Sequence, residues 1–180
     1  MKLLLDACVM YPTVMRSMLL GAAKAGFFTP IWSDRILEEW ALAARKIGPT
    51  GEVQARAEVA LVKAGFPNAS VTDYAGLETR LWLPDDNDIH VLAAAVKGSG
   101  DAIVTLNAKD FPKNILAEEG LDRLDPDALL TSFFNQNPDV MRDLTVSVNA
   151  EADRLSGKTW DMRALMKKAR LPRFGKALSR

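Results

Sequence analysis

Four carboxylates and one amide are of types that could do chemistry together: Asp6, Glu39, Asp88, Asn107 and Asp110. Carboxylates drawn into one place repel one another and raise each other's pKa, so such a cluster persists by holding a cation. Oxygen donors favour hard ions, Mg²⁺ or Mn²⁺, over zinc. An ion held by a few carboxylates keeps several waters, and one of these attacks a phosphodiester while the ion stabilises charge on the phosphorus oxygens. The substrate class this predicts is a nucleic acid. Competing chemistries are poorly supplied. The chain has one histidine, His90, and one cysteine, Cys8. A two-histidine ribonuclease mechanism is therefore excluded, and a Ser-His-Asp triad is disfavoured. His90 reads as a satisfied helix residue rather than a ligand, and Cys8 as a small buried hydrophobe. No glycine-rich phosphate loop of either nucleotide-binding pattern is present.

Each acid also has a plainer reading. Asp6 is an ordinary strand-ending turn residue, Glu39 a solvated helix acid, and Asp110, before Phe111-Pro112, a turn acid. Asp85 and Asp86 are assigned to capping a helix and complementing its dipole, and only Asp88 of that run is assigned to the metal. What favours the sharper reading is that all of these positions occur in an order that one fold explains.

The elements needed to position them can be read from the pattern. Residues 2 to 5 form an apolar run ending at Asp6, as in a buried strand of a parallel sheet. Helical spacing runs from Val14 to Ala25 and stops at Gly26, and Phe27 to Trp32 reads as a connecting segment. Ser33 is a good N-cap for a helix through Ile36, Leu37 and Trp40, which carries Glu38 and Glu39 on its second turn. A further amphipathic helix is predicted over Val53 to Ala64, a brief strand over Val71 to Tyr74, and another helix over Leu77 to Leu83, ended by Pro84. Asp88 opens an Ala-rich helix from Ile89 to Val96, stopped by Gly98-Ser99-Gly100. The strand-like Ala102 to Leu106 follows, with Asn107 and Asp110 just beyond it. In open parallel sheets ligands bind at the carboxyl ends of strands, which is where Asp6, Asn107 and Asp110 fall. A last helix from Pro126 to Phe134 precedes a helical tail after Pro138. The fold class expected is a three-layer α/β/α sandwich with a mostly parallel central sheet, plus a helical C-terminal tail.

Length and composition agree with one domain and an appendage. The chain has 180 residues, 48% of them hydrophobic, enough for one well-buried core. The predicted division is a domain over residues 1–137 and a basic extension over 138–180. Lys plus Arg equals Asp plus Glu overall, but residues 1–137 hold 13 basic and 18 acidic side chains, against 10 basic and 5 acidic in residues 138–180. That asymmetry would suit nucleic-acid phosphates at the tail. Trp32, Trp40 and Trp82 are expected in the core or on a dimer surface, and Trp160 in the core, with stacking on a base as its alternative. A lone cysteine and the early charge at Asp6 argue for a cytoplasmic protein with no signal peptide. No apolar run approaches the roughly 20 residues that span a bilayer.

Four blocks together, Leu3-Leu4-Leu5-Asp6, Ser33 to Glu39, Asp88-Ile89-His90-Val91-Leu92-Ala93-Ala94-Ala95 and Val104-Thr105-Leu106-Asn107-Ala108-Lys109-Asp110-Phe111, resemble the PIN domain, and especially the VapC-like toxins of bacterial toxin–antitoxin pairs. The resemblance covers roughly residues 2 to 135. In that family an Asp after the first strand, a Glu on a following helix, an Asp opening the helix before a late strand, and an acid or Asn after that strand form the metal site. By motif these roles fall on Asp6, Glu39 and Asp88, and on Asn107 with Asp110. The resemblance implies divalent-metal-dependent cleavage of RNA, an antitoxin partner that blocks the groove, and homodimers. The family often has an Asp at the place of Asn107, and here the acid comes three residues later, leaving the ligand open between the two. Glu38 and Glu39 point about 100° apart on a helix, so one of them faces the site; Glu39 matches the family's spacing from Ser33. Two other readings stand beside the nuclease: a PIN-like adaptor that binds RNA or protein without cutting, and a phosphate-accepting signalling domain, which the lack of a suitable Lys after a late strand disfavours.

Overall fold

The computed structural model describes residues 1–179. In chain order the elements are β1 (Lys2–Leu5), α1 (Ala7–Met10), α2 (Thr13–Lys24), β2 (Thr29–Ile31), α3 (Asp34–Ala43), α4 (Gly51–Gly65), α5 (Ala75–Glu78), α6 (Ile89–Lys97), β3 (Ala102–Val104), α7 (Lys113–Glu118), β4 (Asp122–Leu124), α8 (Pro126–Gln136), α9 (Pro138–Ser156), α10 (Met162–Lys168) and α11 (Pro172–Ala177). Short 3-10 turns cover Ala44–Ile47 and Asp86–Asp88. The chain forms two compact units. The first comprises Met1–Tyr11 and Thr29–Leu124, and the second Pro12–Phe28 with the chain from Asp125 onward. The predicted boundary at 137/138 falls inside the second unit, between α8 and α9.

The first unit is built on a four-stranded sheet of order β2-β1-β3-β4, with every neighbouring pair parallel. Leu3, Leu4 and Leu5 are fully buried, as are Ala102, Ile103 and Val104 within 2%. Successive strand residues point to opposite faces, so burial of every one means that both faces are covered, the α/β/α arrangement expected. Strand order reverses at β1, with β2 on one side and β3 on the other. The register sets Leu5 beside Val104, which brings the chain leaving β1 and the chain leaving β3 side by side at the carboxyl edge.

Several elements differ from the sequence expectation. The connecting segment contains β2, a three-residue edge strand whose Pro30 is tolerated at an edge and hides it from pattern reading. Val71 to Tyr74 is not a strand; the pairing there is a single parallel bridge between Ser70 and Trp32. The predicted helix over Leu77 to Leu83 shrinks to α5, because beyond it Leu81 and Leu83 turn into the core while Trp82 between them is 61% exposed. That is a period of two rather than 3.6, and of the two places expected for Trp82, the core or a dimer surface, it excludes the core. Trp32 and Trp40 are buried as expected. The short α7 and β4 contain too few positions to show a period and were not anticipated. At the start of α4, a Cβ on Gly51 would lie 2.1 Å from the Ala44 carbonyl oxygen, so this close approach of backbone requires glycine.

The second unit is all helical among the described residues. The α2 face of Met15, Met18 and Leu19 is fully buried, as are Phe174 and Met166. Phe27 stacks on Phe133 at 4.9 Å between ring centroids. Asp127, in the first turn of α8, is 6% exposed, and its two oxygens accept the backbone N–H groups of Arg173 and Phe174 at 2.9 Å each. Trp160 is half-buried rather than in the core: its indole N–H donates to Ser156 Oγ (3.0 Å), and the Lys168 ammonium sits 4.5 Å over its ring.

Candidate metal centre

The strand register dictates the first contact. Asp6 follows β1 and Thr105 follows β3, and the Thr105 hydroxyl donates to Asp6 Oδ2 at 2.7 Å. The Asp6 N–H continues the ladder to the Val104 carbonyl (3.2 Å). Asp6 is 6% exposed and Thr105 is 3% exposed, so the carboxylate is set by a buried hydroxyl. Cys8 joins them, and its expected role as a buried hydrophobe is corrected: the residue is half-buried and its thiol donates to Asp6 Oδ2 at 3.0 Å while Sγ accepts from the Leu106 N–H at 3.2 Å. Burial, then the Asp6 charge and hydrogen bond, push the Cys8 thiol up to about 12. The thiol is therefore a donor and not a nucleophile.

The turn before α6 supplies the next carboxylates. Asp85 Oδ1 accepts from both the backbone N–H and the side-chain amide of Asn87 at 2.9 Å, the capping role expected of it. It does more than cap. One carboxylate oxygen from each of Asp85, Asp88 and Asp110 lies within 4.8 Å of the others. Asp86 is exposed. Asn107, whose N–H donates to Thr105 Oγ1 at 2.9 Å, directs its side-chain amide to Asp88 Oδ2 at 3.3 Å. The amide thus touches one of the acids, while Asp110 joins the carboxylate group.

Glu38 and Glu39 part company as their spacing requires. Glu38 is bound bidentately by Arg56, both contacts 2.7 Å, on the α4 side. Glu39 Oε1 instead lies 2.8 Å from His90 Nε2 and 3.6 Å from Arg35 Nε. The α3 that carries both acids starts as expected, with Ser33 Oγ accepting the Ile36 N–H at 3.2 Å. His90, however, is not satisfied within its helix. It is 1% exposed, both ring nitrogens lack an aligned hydrogen bond, and the short approach to Glu39 is a close electrostatic contact off the N–H axis.

The electrostatics tie these pieces together. Partial burial first, then the charges of Asp6, Asp85, Asp110 and Glu39, push the Asp88 carboxyl up to about 6. All four charges therefore lie near enough to act on one carboxyl. Asp6 and Glu39 stand outside the closest three-acid group yet act on the same carboxyl. The donors are carboxylate oxygens carrying excess negative charge, a set that fits a hard divalent cation. Missed in the sequence were Asp85, whose capping role hid its second one, and Thr105, whose only signal was a hydroxyl ending an apolar strand.

Comparison with known proteins adds an independent finding. No curated protein and no solved structure matches the chain. Among protein families, the PIN domain matches residues 2–109, well over half of the 180 residues. That span contains Asp6, Glu39, Asp85, Asp88 and Asn107 and stops one residue short of Asp110. With a parallel sheet gathering acids at its carboxyl edge and that match over most of the first unit, the chain belongs to the PIN-domain family.

Proposed function

We propose that this PIN-domain protein is a metal-dependent endoribonuclease that hydrolyses RNA phosphodiester bonds. PIN domains are generally nucleases, and the three-acid group is compatible with a divalent metal. The observation that carries the reading is the meeting of Asp85, Asp88 and Asp110, one carboxylate oxygen of each within 4.8 Å of the others; burial and the charges of neighbouring acids push Asp88 up to about 6. Such repulsion is costly to maintain and is relieved by a cation. Asp85, Asp88 and Asp110 would hold Mg²⁺ or Mn²⁺, with Asp6 at the same edge and Glu39 holding or orienting water. When bound, the ion supplies charge neutralisation at the scissile phosphate and a more acidic water. The chain's own residues do the positioning. Thr105 and Cys8 fix Asp6, Asn107 orients Asp88, and the helix start at α6 holds Asp88 against its neighbours.

Purified protein incubated with RNA and Mg²⁺ or Mn²⁺ tests this. Cleavage is expected, abolished by EDTA and lowered at least about 100-fold in Asp6→Asn and Asp88→Asn. Intact RNA bound equally well by wild type and both variants would instead identify a non-catalytic adaptor.

The four motif blocks shared with VapC-like toxins support a finer reading, in which the protein is the cytoplasmic toxin of a type II toxin–antitoxin pair, with a cognate antitoxin and a homodimeric form. Induced expression should arrest growth, and co-expression of a small neighbouring gene should relieve the arrest. Arrest by Asp88→Asn as severe as by wild type would refute it.

A further inference from the structure

His90 occupies the first turn of α6, two residues after Asp88, so the helix backbone sets its position relative to that carboxylate. The imidazole is 1% exposed, leaving it no freedom to swing. Its Nε2 lies 2.8 Å from Oε1 of Glu39, which sits on α3 with its side chain 38% exposed. Neither ring nitrogen has an aligned partner elsewhere, and a buried polar side chain left so asks for a reason. Glutamate has three rotatable bonds and pays entropy to be held in one geometry. Of the groups at 4 Å or less from Glu39, Arg35 is 48% exposed and shared with Glu78 at 3.7 Å. The histidine is the rigid one.

We infer that His90 is a positioning residue that pins Glu39 of α3 against α6 and so fixes the distance between the Glu39 and Asp88 carboxylates. A neutral imidazole protonated at Nε2 and an imidazolium both present an N–H there, and a small rotation of the half-exposed Glu39 aligns it. The inference rests on the nuclease reading and deepens it, because it names what holds the one acid supplied by a different helix.

The test is a double-mutant cycle in the full chain, read by RNA cleavage and by calorimetric titration with Mn²⁺. His90→Leu keeps the bulk and removes the N–H, and His90→Gln keeps a donor near the same place. Loss of a group that orients a metal-site ligand costs about 10- to 100-fold in metal affinity or activity. His90→Leu should lower kcat by that order with KM for RNA within about two-fold, weaken Mn²⁺ binding about 10-fold, and be largely rescued by His90→Gln. In a Glu39→Gln background His90→Leu should cost almost nothing more, since the histidine acts through that carboxylate. A merely destabilising change would add its loss in both backgrounds, which overturns the inference, as does His90→Leu protein that cuts and binds Mn²⁺ like a cleaving wild type. Wild-type protein that neither binds Mn²⁺ nor cuts RNA overturns the nuclease reading and this inference with it.

Discussion

Asp88 carries the conflict between stability and function in one side chain. Its folded-state pKa of about 6 lies above the ordinary value of 3.8. Between those values the folded chain binds more protons than the unfolded one, so metal-free protein loses stability as pH rises through that window and bears the whole penalty above about 6. In EDTA, Asp88→Asn should therefore melt a few degrees higher than wild type at pH 7, and the gap should close as pH falls toward 4. A variant that melts lower than wild type at pH 7 would contradict the electrostatic account. Saturating Mg²⁺ should reverse the order by stabilising wild type alone. At this scale the sequence was informative about the identity of the acids, because residue type and position in a motif are written in the chain. It was silent on side-chain direction. That Asp85 serves cap and cluster at once, that Thr105 grips Asp6, and that His90 faces Glu39 rather than solvent are facts of rotamer and register.

For the elements, Ser33 offers the clearest case of local sequence setting functional geometry. Its hydroxyl is fully buried and bonds the Ile36 N–H, starting the helix that delivers Glu39. Ser33→Ala should cost about 1 kcal/mol, seen as a melting temperature lower by roughly 2–4 °C. A second, stronger effect is expected in the other unit. Asp127→Ala leaves two backbone N–H groups at the start of α11 without their acceptor, and should cost about 1–3 kcal/mol; melting unchanged within a degree would show that water replaces the carboxylate freely. Long elements with strong periodicity, α2, α3, α4 and α6, were legible within a few residues. Those that were missed, β2, α7 and β4, run three to six residues and are held by neighbours on the sheet. Their sequences contain too few positions to show a period.

Taken whole, the chain separates charge: an acidic majority in residues 1–137 and a basic one beyond, with Lys167, Arg170, Arg173 and Lys176 all exposed. If these cations meet RNA phosphates, each contributes to counterion release. The double variant Lys167→Gln, Lys176→Gln should weaken RNA binding and reduce the slope of log affinity against log salt by about 1 to 2; an unchanged slope would assign the tail to structure alone. This asymmetry was legible from composition, whereas the interleaving of the two units was not, since it depends on which helix faces α2.

That interleaving bears on how the protein is made. The apolar side of α2 is translated before its partners: α8 and the helices that complete its unit lie about a hundred residues downstream. At bacterial or eukaryotic elongation rates of about 5–20 residues per second, Met15, Met18 and Leu19 wait several seconds on the ribosome without their final partners. A nascent chain in that interval presents a sticky helix to chaperones, and the second unit can close only once α8 and the helices after it have been made.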